Sequence, residues 1–211
     1  MAFPTTGNTY ELKAVNEILA SVGQAPVTSL DQTNPDVAIC YDTLMEVSRQ
    51  VQAEGWTFNT EYNYPIQVNS DGHVVVTNNM LALDLCIGRV ENMDRDVVKR
   101  TYKGEELLYD KVTHSFEWTD NETVYCDVVW LFDWQDLPKP IQAFIVSRAS
   151  VIVSQRIVSD PNLYQMLQQQ EVYLRAQAME YECNQGDYTY FGHPEGSNYY
   201  QSYKPFHALY R

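Results

Sequence analysis

Residues 49–59 decide the fold, and they read Arg49-Gln50-Val51-Gln52-Ala53-Glu54-Gly55-Trp56-Thr57-Phe58-Asn59. A helical apolar pattern ends at Val51, and Gly55 is a residue that typically stops a helix. Beyond Gly55, two large aromatic residues alternate on what we predict to be an extended stretch. We therefore expect Trp56 and Phe58 to insert into the core as anchors, at the point where helix gives way to strand.

Two helices are predicted before this point, within residues 1–60. In the first, Asn8 is the predicted N-cap and Gly23 the stop. Its apolar positions are Leu12, Val15, Ile18, Leu19 and Val22. The second helix opens at Asn34-Pro35, because proline is favoured at the first helical position. Its apolar positions are Val37, Cys40, Tyr41, Leu44, Val47 and Val51.

Residues 61–135 have a different pattern, with short runs rich in β-branched and aromatic residues. The runs are Ile66–Val68, His73–Thr77, Leu81–Ile87, Val97–Tyr102, Leu107–Tyr109 and Thr123–Leu131. Asp71-Gly72 and Lys103-Gly104 are typical of hairpin turns. We predict a small antiparallel β-sheet domain here.

Residues 136–185 return to a helical pattern. A third helix begins near Pro138 and Pro140, and it has so few polar positions that we expect it to be buried on most sides. A fourth helix begins at Asp160-Pro161, with apolar positions Leu163, Leu167, Leu174, Ala178 and Tyr181. The predicted fold is α+β: a four-helix bundle (1–60 and 136–185) interrupted by the sheet domain (61–135) and followed by an extended tail (186–211).

The C-terminal tail, residues 186–211, is aromatic but has no helical or strand period. Its aromatic residues are Tyr188, Tyr190, Phe191, Tyr199, Tyr200, Tyr203, Phe206 and Tyr210. Stacking on single-stranded bases is one use for such rings, but base-stacking surfaces normally carry basic residues, and this tail has only Lys204 and Arg211. A flexible C-terminus that binds no partner is a second alternative. We favour binding to a protein partner, since tyrosine is enriched at interfaces.

The chain is strongly acidic, with a formal net charge of −14 over 211 residues. The charge is −5 in residues 1–60, −8 in residues 61–135, −1 in residues 136–185 and zero in the tail. A sequence-specific DNA-binding protein would be expected to carry a basic face. The composition therefore argues against tight nucleic-acid binding, although DNA could pass such a surface without being held.

Acidic pairs are the best candidates for catalysis in the sequence. Glu105-Glu106 and Asp94/Asp96 could serve a hydrolase only if two carboxyl groups faced each other across a cleft. Because acidic residues are rarely buried, we expect solvated loops instead. A cell-wall-degrading hydrolase that uses acidic residues for catalysis is kept as the alternative function.

Metal and cofactor motifs are missing from the sequence. His73, His114, His193 and His207 have no metal-ligand spacing, and the four cysteines form no CxxC pair. There is no GxGxxG, Walker loop or GxSxG motif. We expect a chain without cofactor or catalytic set, with reduced thiols and no signal peptide.

The helical segments resemble tail tubular protein A, the head-to-tail adaptor family of short-tailed bacteriophages. The resemblance lies in residues 14–23 (Ala-Val-Asn-Glu-Ile-Leu-Ala-Ser-Val-Gly) with Pro26-Val27, and in residues 49–59. It continues in Leu137-Pro138, residues 145–150 and Met179-Glu180-Tyr181. Over half the chain is covered, and Gly55–Asn59 is the most specific element. The sheet region and the tail are similar to the family only in position and character.

The resemblance implies a structural virion protein, made in the host cytoplasm and placed at the head-to-tail connector. It implies a dodecameric ring below the portal protein that extends the DNA ejection channel to the tail nozzle. Tail fibres would attach near the junction of adaptor and nozzle. The partner surface of the aromatic tail would then be the portal or a neighbouring subunit.

Overall fold

The computed structural model describes residues 5–31, 34–86, 92, 94–118 and 123–186, with side chains from residue 10 onward. These residues form an α+β fold with four long helices and two antiparallel sheets. The helices are α1 (Thr5–Ser21), α2 (Pro35–Gln52), α3 (Lys139–Ile157) and α4 (Pro161–Gly186). The strands are β1 (Thr60–Gln67), β2 (Met80–Leu85), β3 (Val97–Tyr102), β4 (Glu105–Asp110) and β5 (Thr123–Trp130).

Helix α3 is the centre of the helical part, since it contacts α1, α2 and α4. Eleven of its 19 residues are buried, which confirms the prediction that it is covered on most sides. Helix α2 begins at Pro35 as predicted, and the Asn34 side chain accepts a hydrogen bond from the Asp36 amide (3.1 Å). The apolar faces of α1, α2 and α3 meet in one hydrophobic cluster with Trp56 and Trp134.

The sheets form a second hydrophobic cluster around the buried side chain of Trp118. Strand β5 lies in the middle of the three-stranded sheet, between β1 and β2, and β3 pairs with β4 in a hairpin. The hairpin turns at Lys103 and Gly104, whose φ angles are +51° and +90°. Two consecutive residues with positive φ match the right-handed twist of a two-residue hairpin, so this turn is confirmed.

Three predictions of local structure are wrong. The stretch beyond Gly55 is not extended, because residues 57–59 form a turn in which the Asn59 amide donates to the Trp56 carbonyl oxygen (3.0 Å). His73–Thr77 is not a strand: it bonds to β4 only through an isolated bridge between Val75 and Leu107 and two nearby backbone hydrogen bonds. Val74 and Val76 are buried beside β4, so the strand-like sequence reflects burial in an irregular segment. Asn8 is not an N-cap, because α1 begins at Thr5. The run Thr5–Thr9 holds several residues of similar capping preference, so sequence alone does not select one.

Helix α4 packs against α3 with one face and leaves the opposite face open. Its predicted apolar stripe is only partly covered: Leu167 and Ala178 are buried, whereas Leu163, Leu174 and Tyr181 are half-buried. The third buried residue is the acidic Glu182. No more than three of 26 residues in this helix are buried, so α4 contributes little to the core for its length.

Candidate assembly site

The stretch Gly55–Asn59 lies where four elements meet: the end of α2, the start of β1, the end of β5 and the last turn of α4. We call this stretch, together with Gln52, Phe132 and Glu182, the junction. Gly55 has a φ of +77°, and its amide donates to the Gln52 carbonyl oxygen (3.2 Å). A residue with a side chain is strained at that φ, so glycine lets the chain leave α2 and turn at once toward β1.

Trp56 lies in the helical hydrophobic cluster and is 3% exposed. Its indole Nε1 donates to the carbonyl oxygen of Val51 (2.7 Å), which lies in the last turn of α2. The ring therefore fills space between the helices, and it supplies a second donor to a helix-end carbonyl that also accepts from the Glu54 amide (3.1 Å). Phe58 is half-buried, packs against the same cluster, and meets the Phe132 ring at a centroid distance of 6.2 Å.

Asn59 joins the helical part to the sheet. Its side-chain amide donates to the carbonyl oxygens of Gln52 (2.9 Å) and Trp130 (2.8 Å), and its Oδ1 accepts from the Trp56 amide (2.8 Å). Gln52 makes a second link, because its side chain both accepts from the Phe132 amide and donates to the Phe132 carbonyl. Buried polar groups with every bond made fix a single arrangement of the elements they join.

Glu182 fastens the last turn of α4 to this arrangement. Its carboxylate accepts from the Thr57 amide at 2.8 and 3.1 Å and from the Thr57 hydroxyl at 2.6 Å. The side chain is buried, with the residue 8% exposed. Residues 187–211 follow directly after this helix, so Glu182 holds the base of the C-terminal tail on the body of the protein.

Replacing Glu182 with alanine is expected to lower the free energy of unfolding by about 1–3 kcal/mol, because hydrogen bonds to a charged acceptor are lost. Glu180→Ala is the matched control: it removes the same side chain two residues earlier, at an exposed position. The control should change stability by less than about 0.5 kcal/mol. Urea unfolding of both variants measures the difference, and equal midpoints would show that the Thr57 contacts do not stabilise the helix end.

The acidic pairs considered for hydrolysis lie on the surface. Glu105 and Glu106 are exposed neighbours at the hairpin tip, and neighbouring residues of a strand point to opposite faces. Asp94 and Asp96 are exposed too, and Asp96 forms an ion pair with Lys111 at 2.5 Å. These pairs do not present two carboxylates across a cleft, so they give no support to the hydrolase alternative.

The histidines and cysteines are not brought together as metal ligands in the described part of the chain, where no group of three such side chains or carboxylates could hold a metal ion. His114 is exposed, and His73 meets the Tyr102 ring at 6.4 Å. Burial, with a smaller effect of Asp36, raises the pKa of Cys40 to about 11. Burial, followed by Asp127, raises the pKa of Cys126 to about 12, so both thiols stay protonated at neutral pH. Cys183, by contrast, is exposed on α4.

The predicted partner-binding residues of the tail and two of the histidines, His193 and His207, lie outside the described residues. Within those residues, no helix has the length and apolar character needed to cross a bilayer. Sequence reasoning gave no role to five residues of the junction, namely Gln52, Thr57, Asn59, Phe132 and Glu182. Only Thr57 and Asn59 had a signal, since both lie in the specific Gly-Trp-Thr-Phe-Asn run.

Comparison with known proteins identifies the family. A comparison with curated proteins finds no match. The family model described as tail tubular protein matches residues 12–188, which include all five strands, the whole junction and most of the helical residues. A match of this extent covers well over half of the 211 residues. The chain therefore belongs to the tail tubular protein family, whose members are structural proteins of the bacteriophage tail.

Proposed function

We propose that the protein forms the ring-shaped adaptor between the portal and the tail nozzle of a short-tailed phage. The family match across residues 12–188 carries this proposal. In it, about a dozen copies close into a ring that extends the DNA ejection channel and supports the tail fibres. The protein acts through assembly, without catalysis or cofactor. A closed ring requires that each copy present two different surfaces to its two neighbours.

Each copy contains two hydrophobic clusters, which support two structural parts with separate cores. The first belongs to the helices, which we propose to act as one four-helix bundle (1–60 and 136–185). The second belongs to the sheets, which we propose to be an inserted domain (61–135). The junction links the two through Asn59 and Gln52. Such links would let force pass between portal and nozzle without separating the two parts.

Localisation in the virion tests the proposal. A phage carrying a nonsense mutation in this gene should make DNA-filled heads that lack a nozzle, and supplying the protein in trans should restore complete particles. Cryo-electron microscopy of the restored particles should place a ring of this chain between head and nozzle. Particles that assemble a normal tail without the protein would refute the adaptor role.

The channel role requires that DNA pass without being held. Two basic residues of the sheet region contact other groups of the same chain. Lys99 Nζ donates to the carbonyl oxygens of Met80 and Leu81. The Arg100 guanidinium lies 4.0 Å from the Tyr109 ring centroid. The net charge of −8 on residues 61–135 should therefore repel the phosphates of DNA.

Duplex DNA is accordingly expected to bind the purified protein no better than about millimolar at physiological salt, weaker than the roughly 10⁻⁴–10⁻⁶ M of ordinary non-specific binders. Fluorescence anisotropy at two salt concentrations measures this. Replacing Glu105 and Glu106 with glutamine should tighten binding, because it removes two exposed negative charges from the hairpin tip that also carries Lys103. Micromolar binding by the unaltered protein, with a steep salt dependence, would contradict the prediction.

A further inference from the structure

Helix α4 is held to the rest of the protein by little apolar area. Two apolar residues among its 26, Leu167 and Ala178, are buried, against seven among the 19 of α3. The other apolar residues of α4 are half-buried or exposed. Burial of apolar surface is the main source of stability when a helix packs, so α4 gains less from packing than α3 does. Parts of a protein with few buried apolar contacts open at a lower free-energy cost than its core.

The side of α3 that α4 covers is lined by serine. Helical periodicity places Ser147, Ser150 and Ser154 opposite Ile141 and Ile145, which pack with α1 and α2 in the hydrophobic cluster. The three serines are nevertheless buried, so α4, the third helix in contact with α3, covers them. The hydroxyls of Ser150 and Ser154 donate to carbonyl oxygens of α3 itself (2.9 and 2.8 Å). Ser147 Oγ, however, is buried without a hydrogen-bond partner among the described residues. This disfavours the packed state, because water could bond to the hydroxyl once α4 moved away.

Polar contacts fix the C-terminal half of α4. Arg175 bonds to Glu54 (3.3 Å), which also pairs with Arg148 of α3 (3.5 Å). The side chains of Arg175 and Glu54 are 48% and 35% exposed, so water and salt screen this pair and it stabilises α4 little. The buried carboxylate of Glu182, by contrast, accepts from both the amide and the hydroxyl of Thr57. We call this contact the latch, because it is the buried polar attachment of α4 to the junction.

We propose that α4 opens from α3 as one unit, turning about Ser159 when the latch is released, while α1, α2 and α3 stay packed. The connection between α3 and α4 is short, residues 158–160. All three residues are exposed, so their backbone can change without disturbing a core. Ser159 has a φ of +56°, a left-handed conformation that costs energy for a residue with a side chain. A rotation that moves Ser159 to negative φ would relieve this cost.

Opening would move the base of the C-terminal tail. A 26-residue helix is about 39 Å long, so a rotation of about 60° at Ser159 displaces Gly186 by about 39 Å. The latched protein therefore starts its tail beside the junction, and the opened protein starts it far from there. Because the tail carries the eight aromatic residues proposed to bind a partner, the latch would decide where these residues can reach.

Hydrogen exchange of the full-length protein, resolved by residue with NMR, tests the opening. Each amide gives an opening constant once its rate is corrected for the intrinsic exchange rate. Amides in the middle of α4 should share one opening constant, at least about tenfold larger than that of amides in the middle of α3. One constant common to both helices, or unrelated values along α4, would overturn the proposal.

Three substitutions show which contacts control the opening. Glu182→Ala should raise the opening constants of α4 and α3 by the same factor, at least about fivefold, because every open state has already lost the latch. Glu180→Ala, at an exposed position two residues earlier, should change neither constant. Ile18→Val alters the core of α1 and should raise the constant of α3 about two- to tenfold. It should leave the constant of α4 unchanged, because α1, α2 and α3 stay packed when α4 opens.

Two outcomes of these substitutions would contradict the proposal. If Ile18→Val also raises the opening constant of α4, then α4 opens only when the whole protein unfolds. If Glu182→Ala leaves the constant of α4 unchanged, the latch does not hold the helix. These measurements use the free protein, so a failure of the opening and a failure of the adaptor role can be told apart.

Discussion

Replacing Trp56 with alanine is expected to lower the free energy of unfolding by about 3–5 kcal/mol, the largest single-residue effect we predict for this chain. The indole is 3% exposed within the helical cluster, so its loss leaves a cavity between packed helices. It also leaves the Val51 carbonyl without the Nε1 donor that bonds to it at 2.7 Å. The cavity and the lost bond act at the same point, where α2 ends.

Two variants separate these contributions in urea unfolding. Trp56→Phe keeps much of the ring volume but removes the Nε1 donor, so it should cost about 1–3 kcal/mol. Tyr62→Ala removes an aromatic ring that is 58% exposed and should cost at most about 1 kcal/mol. If Trp56→Ala changes stability by less than about 0.5 kcal/mol, the tryptophan is not a core anchor.

The helices could be predicted because their signals are local. Pro35 and Pro161 each stand at the first position of a helix, where a missing amide proton costs nothing. Helix α3 could be predicted as a buried helix because few of its own residues are polar. The same logic fails for α4, since Met166, Val172, Tyr173 and Met179 are apolar but exposed. Helical spacing shows which residues share a face, but it does not show which face the rest of the chain covers.

The sheets were predictable only where pairing is local. Lys103-Gly104 predicts the β3–β4 hairpin, and both residues have the positive φ angles that its two-residue turn requires. In contrast, β1 pairs with β5 across more than 50 residues, with Gln67 opposite Thr123 and Thr60 opposite Val129. Nothing in either strand selects the other. The His73–Thr77 run shows the reverse case, where buried valines imitate a strand that does not form.

Only part of the junction could be predicted from the sequence. Gly55 and Trp56 could be identified because a helix stop followed by a large aromatic residue has a local meaning. Glu182, however, bonds to Thr57 across 125 positions, and an acidic residue near a helix end reads as solvated surface. Its burial depends on how α4 packs on the body, which is a property of the whole fold.

The tail is the part of the chain for which we predict the largest functional effect. Residues 187–211 carry six tyrosines and two phenylalanines, and α4 extends to Gly186. We propose that Tyr188, Tyr190, Phe191, Tyr199, Tyr200, Tyr203, Phe206 and Tyr210 bind a partner, with the portal as first choice and an adjacent adaptor subunit as second. Fully extended, these 25 residues span at most about 80–90 Å, enough to cross to another ring.

Deleting residues 187–211 leaves α4 whole, including the contact of Glu182 with Thr57. The melting temperature of the free protein should therefore be nearly unchanged, while attachment to the portal or tail should be abolished. A full-length variant with all eight aromatic residues changed to serine keeps the length and charge of the tail. It should fail in the same way, because aromatic faces supply the apolar area that is buried on binding. Co-sedimentation with purified portal rings measures attachment. If the truncated monomer instead unfolds several degrees earlier, the aromatic residues belong to the subunit's own core and bind no partner.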